Sequence, residues 1–204
     1  MNALPEFVSP TDAADQVARS QVLSPDIRPL WSGAKLSGPA YTVQCAPGDN
    51  LMLHAAIHRA PAGSVIVVDG GDASHAVAGG NVCAVAHRRG IAGFVIDGAI
   101  RDVAEIRELG FPVFARAVVP KPGLKAVALP LQQTVNCGGV LVHPGDLIVA
   151  DEEGIVAVPA ADVDAVMAAV SSKSKEEQAQ TLDEWESDHA QKIDSILRAE
   201  GLDW

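Results

Sequence analysis

The chain has 204 residues, 48% of them hydrophobic and 20% charged, so it can bury a substantial core as one domain, or as one domain with a tail. A formal net charge of −11 argues against a nucleic-acid partner, which would call for a basic stripe. Three widely spaced cysteines, no visible export leader and no apolar run near the roughly 18 residues of a membrane span predict a cytoplasmic protein without a membrane partner.

Prolines interrupt the first forty residues, and we predict a single short helix there, from Thr11 as the N-cap to about Ser20. A strand over residues 41–45 follows. The Pro-Gly-Asp-Asn turn at residues 47–50 then leads into a helix over residues 51–59. We therefore predict a strand–turn–helix unit that follows a segment interrupted by prolines.

The middle of the chain alternates strands and helices. We predict strands over 64–69, 93–97 and 113–115 and helices over 80–89 and 102–109, with Asp97-Gly98 as a turn. Crossovers of this length join parallel strands and are nearly always right-handed. Asp69, Gly70 and Gly71 should then share the carboxyl end of the sheet with Asp97 and Arg101, and ligands of α/β sheets usually bind at that end.

The last third of the chain has a different character. Short strands separated by glycine-containing turns are predicted over residues 129–131, 139–142, 147–150 and 155–158, and they indicate a second, mostly β layer. A helix is predicted from Pro159 to about Val170, which completes a first domain over residues 1–170. Residues 171–204 are predicted to form a charged helical tail. Its apolar stripe should pack on a neighbouring subunit: Leu182, Trp185, His189, Ile193 and Ile196.

Four residues around the predicted helix at Gly80 form a candidate site. The first turn of this helix offers backbone N–H groups without intrahelical partners, which suit an anion. Arg101 adds a planar guanidinium that matches a carboxylate, and Asp102 adds a hard oxygen ligand for a cation. Glu105 lies three residues after Asp102 and shares its helix face. These residues predict a pocket for a small carboxylate beside a divalent metal.

Each of these residues also has a structural interpretation. Arg101 and Asp102 could merely begin a helix, since aspartate favours the first turn, and Glu105 could merely pair with Arg101. His54 and His58 have the spacing of a zinc pair, but Ala55 stands where a metalloprotease needs glutamate, so a structural role is favoured. A solvated position is favoured over a place in the pocket for the loop histidine His75 and for Lys121 and Lys125. Asp69 and Asp72 could be outer-sphere residues or turn formers.

The spacing of the site residues resembles a family signature: a glycine, twenty residues, Arg-Asp, two residues and an acid. Gly80, Arg101, Asp102 and Glu105 fit this pattern, and the similarity extends over about residues 38–159. The chain thus resembles the RraA-like family, which includes metal-dependent 4-hydroxy-4-methyl-2-oxoglutarate / 4-carboxy-4-hydroxy-2-oxoadipate aldolases.

The resemblance implies an α/β fold, namely an α-β-β-α sandwich of the swivelling β/β/α type, assembled as a homotrimer or homohexamer. It also implies that Gly79, Gly80, Asn81 and Val82 bind a pyruvyl group, that Arg101 binds its carboxylate, and that Asp102 holds Mg²⁺ or Mn²⁺. Glu105 would support Arg101 or a water on the metal. The chain departs from many aldolases at Asn81, where they have an acid, and at Val82, where they have leucine.

Motif and resemblance together predict a lyase that cleaves a 4-hydroxy-2-oxo acid to pyruvate through the enolate of pyruvate, with decarboxylation of oxaloacetate as a side activity. The expected partners are therefore small 2-oxo acids. One alternative is a non-catalytic regulator that binds an RNA-degrading enzyme, because the family also contains such proteins. Another is a lyase or decarboxylase that acts on a different 2-oxo acid.

Overall fold

The computed structural model describes residues 7–202, apart from the side chains of residues 176–179. Its helices are α1 (Pro10–Ala14), α2 (Leu51–Ala56), α3 (Gly80–Arg88), α4 (Val103–Leu109), α5 (Val163–Ala179) and α6 (Leu182–Ala199). Its strands are β1 (Arg28–Pro29), β2 (Leu36–Gln44), β3 (Val65–Asp69), β4 (Ala76–Ala78), β5 (Gly93–Ile100), β6 (Val113–Val118), β7 (Val135–Cys137), β8 (Val140–Val142), β9 (Leu147–Ala150) and β10 (Ile155–Val158). The chain divides into two compact units, of which the first ends at Met167 and the second starts at Ala168.

One curled sheet organises the first unit, in the order β1-β6-β5-β3-β2-β9-β10, with β4 beside β5. The predicted parallel arrangement of the central strands is confirmed, because β3 pairs in parallel with both β2 and β5, and β5 with β6. The second β layer was predicted only in part. Strand β9 joins the main sheet through antiparallel pairing with β2, β10 pairs antiparallel with β9 at the edge, and only β7 and β8 form a separate hairpin.

Both faces of this sheet are covered. Helices α2, α3 and α4 lie on one face, over a buried cluster that includes Leu53, Cys83, Phe94, Ile106 and Phe111. The β7–β8 hairpin lies on the other face, over a cluster that includes Val67, Val95, Phe114, Cys137 and Val140. Neighbours along β5 such as Phe94 and Val95 thus face opposite layers, as the alternation of a strand requires. The α/β fold class, with helices, a sheet and a small β layer followed by C-terminal helices, is confirmed.

Several predicted elements differ from the structure. Helix α1 ends at Ala14 and not near Ser20, and α2 ends at Ala56 and not at residue 59. Helix α1 is capped by Ser9, whose Oγ accepts the N–H of Asp12 at 3.1 Å, so Pro10 and not a residue after Thr11 opens the helix. Helix α5 starts at Val163, four residues after Pro159, and continues to Ala179. No strand forms over residues 129–131. Leu129 and Leu131 are partly buried against the core without pairing to another strand, so their apolar character reflects burial and not a strand.

The predicted turn at Asp97-Gly98 was also wrong, since β5 continues to Ile100. Its register with β6 shifts between Ile96 and Ala99, which marks a local irregularity instead of a chain reversal. A Cβ at Gly98 would lie 3.2 Å from the carbonyl oxygen of Asp72. Glycine is therefore needed here for the close approach of the neighbouring loop, not for a turn.

Asp97 links three parts of the first unit. Its Oδ1 accepts the Arg116 Nε–H on β6 at 2.6 Å, and its Oδ2 accepts the N–H of Gly138 in the hairpin turn at 2.7 Å. The hydrogen bond between Arg116 and Asp97 is the main reason why the pKa of Arg116 is raised.

We expect Asp97→Ala to lower the free energy of unfolding by about 2 kcal/mol in urea titrations, because it leaves two donors, on Arg116 and Gly138, without this acceptor. Asp26→Ala, which removes only the exposed partner of Arg116, should cost less than about 1 kcal/mol.

Within residues 7–202, no helix is both long and apolar enough to cross a membrane.

Candidate functional site

A cavity of about 90 Å³ opens at the end of the sheet where β4 and β5 lead into α3 and α4. One wall comes from two short segments that the sequence had singled out, Gly79 to Val82 and Arg101-Asp102. These segments meet because β4 lies beside β5 and the Arg101 N–H donates to the Ala78 carbonyl at 3.1 Å. Gly79, Asn81, Val82, Arg101 and Asp102 line the cavity, whereas Gly80 and Glu105 lie just behind this wall.

Asp102 is the carboxylate of this wall. Its Oδ2 accepts the N–H of Gly80 at 3.0 Å and lies 3.5 Å from the Arg101 Nε. The side chain thus occupies one of the free N–H groups at the start of α3 and makes no capping bond to its own helix, α4. The anion expected at Gly80 is therefore supplied in part by the protein itself.

The backbone of Asp102 has a left-handed conformation, with φ 62°. This conformation is uncommon outside glycine, although aspartate tolerates it better than most residues. It lies where β5 has ended and α4 has yet to begin, so it sets the direction in which the Arg101 and Asp102 side chains leave the sheet. Sparsely populated backbone conformations of this kind cluster at functional sites.

The two glycines at the start of α3 leave room for neighbouring carboxylates. A Cβ at Gly79 would collide with the Asp102 carboxylate and would lie 3.1 Å from the Arg101 Cγ. A Cβ at Gly80 would collide with the carboxylate of Glu105. Both glycines thus let the two acids pack directly against the backbone of α3. Glu105 touches this backbone, and no ion pair with Arg101 occurs among the described residues.

The rest of the cavity lining, called the second wall below, holds residues to which the sequence had given no role or only a weak signal. It includes Asn50 at the start of α2, His54 on α2, and Pro122 and Lys125 from the loop after β6. Asn50 is only 5% exposed, and its Oδ1 has no hydrogen-bond partner among the described residues. An unpartnered buried oxygen is energetically unfavourable unless something fills the cavity beside it.

His54 and Lys125 give this wall its electrostatic character. Burial lowers the pKa of His54 below its ordinary value, and electrostatic repulsion from Lys125 and His58 lowers it further, which favours the neutral imidazole. Lys125 is thus the cation of this wall, facing the same cavity as Arg101. Lys125 is exposed, as favoured from the sequence, and it also lines the cavity. No local sequence pattern joins its loop to α2.

Other predicted candidates lie away from the cavity. Helix α2 ends at Ala56, so His58 follows the helix, and it does not line the cavity that His54 lines. His75 lies beside Ser74 and Asp72. Asp69 and Asp72 are turn formers, since they accept the N–H groups of Gly71 and Ser74 at 3.1 and 2.8 Å. Neither they nor Lys121 line the cavity.

The side chains that line the cavity suit a magnesium ion better than a structural zinc ion. No cluster of three or more histidine, cysteine or acidic side chains that could hold a metal occurs in the described part of the chain. Of the residues that the structure describes, Asp102 is the one carboxylate that lines the cavity. Burial raises the pKa of the neighbouring Cys83 thiol to about 12, so no thiolate competes there. A single carboxylate suits Mg²⁺, which keeps several waters and often takes one or two protein carboxylates, whereas a structural zinc site would need more ligands.

Residues 10–157 match the family model described as RraA-like, Aldolase/RraA. A protein of Halalkalibacterium halodurans, provisionally named a 4-hydroxy-4-methyl-2-oxoglutarate aldolase, is 40% identical over 174 residues, which cover 83% of this chain and 80% of that protein.

Two solved structures are similar in fold. The RraAS2 protein of Streptomyces coelicolor, titled an unusual member of the RNase ES inhibitor RraA family, superposes with a TM-score of 0.74 at 29% identity, covering 91% of this chain and 93% of that one. The RNA-processing inhibitor RraA of Thermus thermophilis superposes with a TM-score of 0.69 at 30% identity, covering 76% and 94%. The similarity thus reaches both proteins named as enzymes and proteins named as inhibitors.

Proposed function

This chain belongs to the RraA-like family, and from that premise we propose that it is a divalent-metal-dependent lyase that cleaves a 4-hydroxy-2-oxo acid to pyruvate and also decarboxylates oxaloacetate. The observation that carries the proposal is the convergence of Arg101, Asp102 and the Gly79–Val82 segment on one cavity. Such a set can hold a carboxylate and a cation side by side. Relatives named as aldolases support the reaction class.

The pyruvyl half of the substrate would bind at the first wall. Arg101 would grip its carboxylate through two parallel N–H bonds, worth roughly 1.5–3 kcal/mol as charged hydrogen bonds. The backbone around Gly79, Gly80, Asn81 and Val82 would contact the same unit, so the changes at Asn81 and Val82 leave these contacts possible. Glu105, packed against Gly80, would keep the start of α3 in place.

Asp102 would hold Mg²⁺ or Mn²⁺ through the carboxylate that lines the cavity. A bound divalent cation supplies positive charge where the 2-oxo oxygen becomes negative as the C3–C4 bond breaks. The Gly80 N–H keeps one oxygen of Asp102 fixed, and the left-handed backbone at this residue fixes its direction. A carboxylate held in this way needs little reorganisation during the reaction.

The second wall would bind the rest of the substrate. Oxaloacetate and 4-hydroxy-4-methyl-2-oxoglutarate both carry a second carboxylate, and Lys125 offers a second cation in the lining of the cavity. The unpartnered amide oxygen of Asn50 is an acceptor, which suits a donor such as the 4-hydroxyl of the substrate. Local cations matter here because the net charge of −11 repels a dianion at long range.

The proposal is tested by following pyruvate release from oxaloacetate and from 4-hydroxy-4-methyl-2-oxoglutarate. We expect turnover with Mg²⁺ or Mn²⁺, its loss in EDTA, and its return when excess metal is added. Rates that do not change between metal and EDTA would show that the chemistry needs no cation. Absence of turnover with either acid would favour a lyase for another 2-oxo acid or the regulator.

The regulator is the second candidate because two structures of similar fold carry inhibitor titles. It predicts that this chain binds an RNA-degrading enzyme and slows RNA cleavage, with an effect that persists in EDTA. Loss of metal-dependent turnover together with inhibition of this kind would replace the lyase. The polar second wall of the cavity favours the lyase, since a binding surface does not need an internal pair of cations.

We further propose a homotrimer or homohexamer, with residues 171–204 as the tail that packs on a neighbouring subunit. Four apolar side chains of α6 are exposed, namely Leu182, Trp185, Ile193 and Ile196. Deletion of residues 175–204 is expected to reduce the number of subunits in the oligomer, measured by light scattering, because it removes the apolar stripe that would contact the neighbouring subunit. A truncated chain with full-length stoichiometry and full activity would show that the tail is dispensable.

A further inference from the structure

We propose that Asp49 is a positioning residue, whose carboxylate holds the loop that carries Lys125 against the cavity. The inference rests on the proposed function only for the substrate that Lys125 meets. The contact itself is a property of the fold, so the two can be tested separately.

The contact joins two segments that are far apart in sequence. Asp49 is 3% exposed, and its Oδ1 accepts the N–H of Leu51 in α2 at 2.8 Å. Its Oδ2 accepts the N–H groups of Ala126 and Val127 at 2.6 and 3.2 Å. One carboxylate thus bonds the helix that carries His54 and the loop residues that directly follow Lys125.

Two backbone hydrogen bonds also join the start of α2 to the loop, at the residue just before Lys125. The Asn50 N–H donates to the Leu124 carbonyl, and the Leu124 N–H donates to the Gly48 carbonyl, both at 2.8 Å. These bonds fix the loop on one side of Lys125, and Asp49 fixes it on the other. Lys125 is therefore held between two anchors, with its side chain at the cavity.

Apolar packing is weak in the part of the loop around Lys125. The chain from residue 125 to 134 contains no helix or strand, and the side chains of residues 124–128 are exposed. Leu124, at 68% exposure, and Val127 contribute little burial. The loop is bonded to Ala76 before this part and to Thr42 after it, so within residues 124–128 the bonds to Asp49 and its neighbours hold the backbone.

A carboxylate fits this position better than an amide. Three N–H groups converge on it, and asparagine would present one oxygen and one NH₂ group that faces donors. Burial alone would raise the pKa of Asp49, but the backbone donors and Lys125 hold it below its ordinary value of 3.8. Because this pKa is lowered in the folded chain, the stabilisation is complete above the ordinary value and is lost as the pH falls through the lowered one.

Hydrogen exchange of the full chain tests the contact directly. The amides of Ala126 and Val127 should be protected in the unmodified protein, although they lie in an exposed loop, and Asp49→Asn should speed their exchange at least about tenfold. The matched control is Asp146→Asn, which alters a second buried aspartate that accepts the N–H groups of His143 and Ala160 at 2.7 and 3.0 Å, outside the cavity. Unprotected amides in the unmodified protein would overturn the proposal even if Asp49→Asn failed to fold.

Kinetics tests whether Asp49 acts through Lys125. With Lys125 present, Asp49→Asn should raise KM for oxaloacetate about fivefold and change kcat by less than about twofold, while Asp146→Asn changes neither. In a Lys125→Ala background, Asp49→Asn should add less than about twofold in KM. Equal effects in both backgrounds would overturn the positioning role. If the unmodified chain turns over neither acid, the proposed lyase fails and hydrogen exchange alone decides the contact.

Discussion

Replacing Asp102 with alanine is expected to lower metal-dependent pyruvate release by at least about a hundredfold and to remove its stimulation by Mg²⁺ or Mn²⁺. Asp102 is the carboxylate that lines the cavity, and within the described residues no metal-binding cluster could take its place. The measurement is the initial rate of pyruvate formation from oxaloacetate over a range of metal concentrations, with EDTA as the zero point.

Asp102→Ala also removes the acceptor of the Gly80 N–H, so a second variant is needed. Asp102→Asn keeps an oxygen near that N–H but carries no charge, and it should be as inactive as alanine if the charge holds the metal. Asp72→Ala is the matched control, because Asp72 forms a turn outside the cavity and should retain activity. Metal-stimulated turnover in both Asp102 variants would remove Asp102 from the metal site.

Local patterns were enough to predict one wall of this cavity. Gly90 and Gly110, both with positive φ, end α3 and α4 near the positions expected from the sequence. The apolar runs of β3 and β5 predicted buried parallel strands, and their pairing places Asp69 opposite Asp97. Because these signals are short in range, β3, α3 and α4 could be placed without a structure, whereas β4 was not predicted and β5 runs beyond the predicted end at residue 97.

The second wall depends on contacts that no local pattern records. His54 and Lys125 share the cavity because Asp49 and its neighbours bond to the loop around Leu124, far along the chain. That loop has no periodic pattern, so its path could not be predicted. For the same reason β9 and β10 were recognised as strands, but the pairing of β9 with β2, which attaches both of them to the main sheet, was not, since pairing register is set by tertiary packing.

The role of Asp102 in the backbone was likewise hidden in the sequence. An aspartate before a helix normally suggests a cap for that helix, here α4. The structure shows instead a left-handed residue whose side chain reaches the first N–H of α3. This crossing follows from the pairing of β4 with β5, which brings the starts of two helices together.

Arg101→Lys is expected to lower kcat/KM for oxaloacetate by roughly ten- to a hundredfold, although the charge is kept. Lysine offers a point charge without the planar fork, so the two parallel bonds to a carboxylate are lost, and with them roughly 1.5–3 kcal/mol. The 3.5 Å approach of Nε to the Asp102 carboxylate is lost as well, which leaves that acid less fixed. Because the carboxylate is bound both before and during the reaction, most of the change should appear in KM.

The matched control is Arg107→Lys, an exposed arginine on α4 outside the cavity, which should leave kcat/KM within about twofold. Inhibition by pyruvate gives a second readout that does not depend on turnover of the variant, since the inhibition constant should rise in parallel with KM in Arg101→Lys. An unchanged inhibition constant together with a reduced kcat would mean that Arg101 acts on the reacting bond and not on the carboxylate. Unchanged kinetics throughout would place the pyruvyl carboxylate elsewhere, and Lys125 would then be the remaining cation in the cavity lining that could bind it.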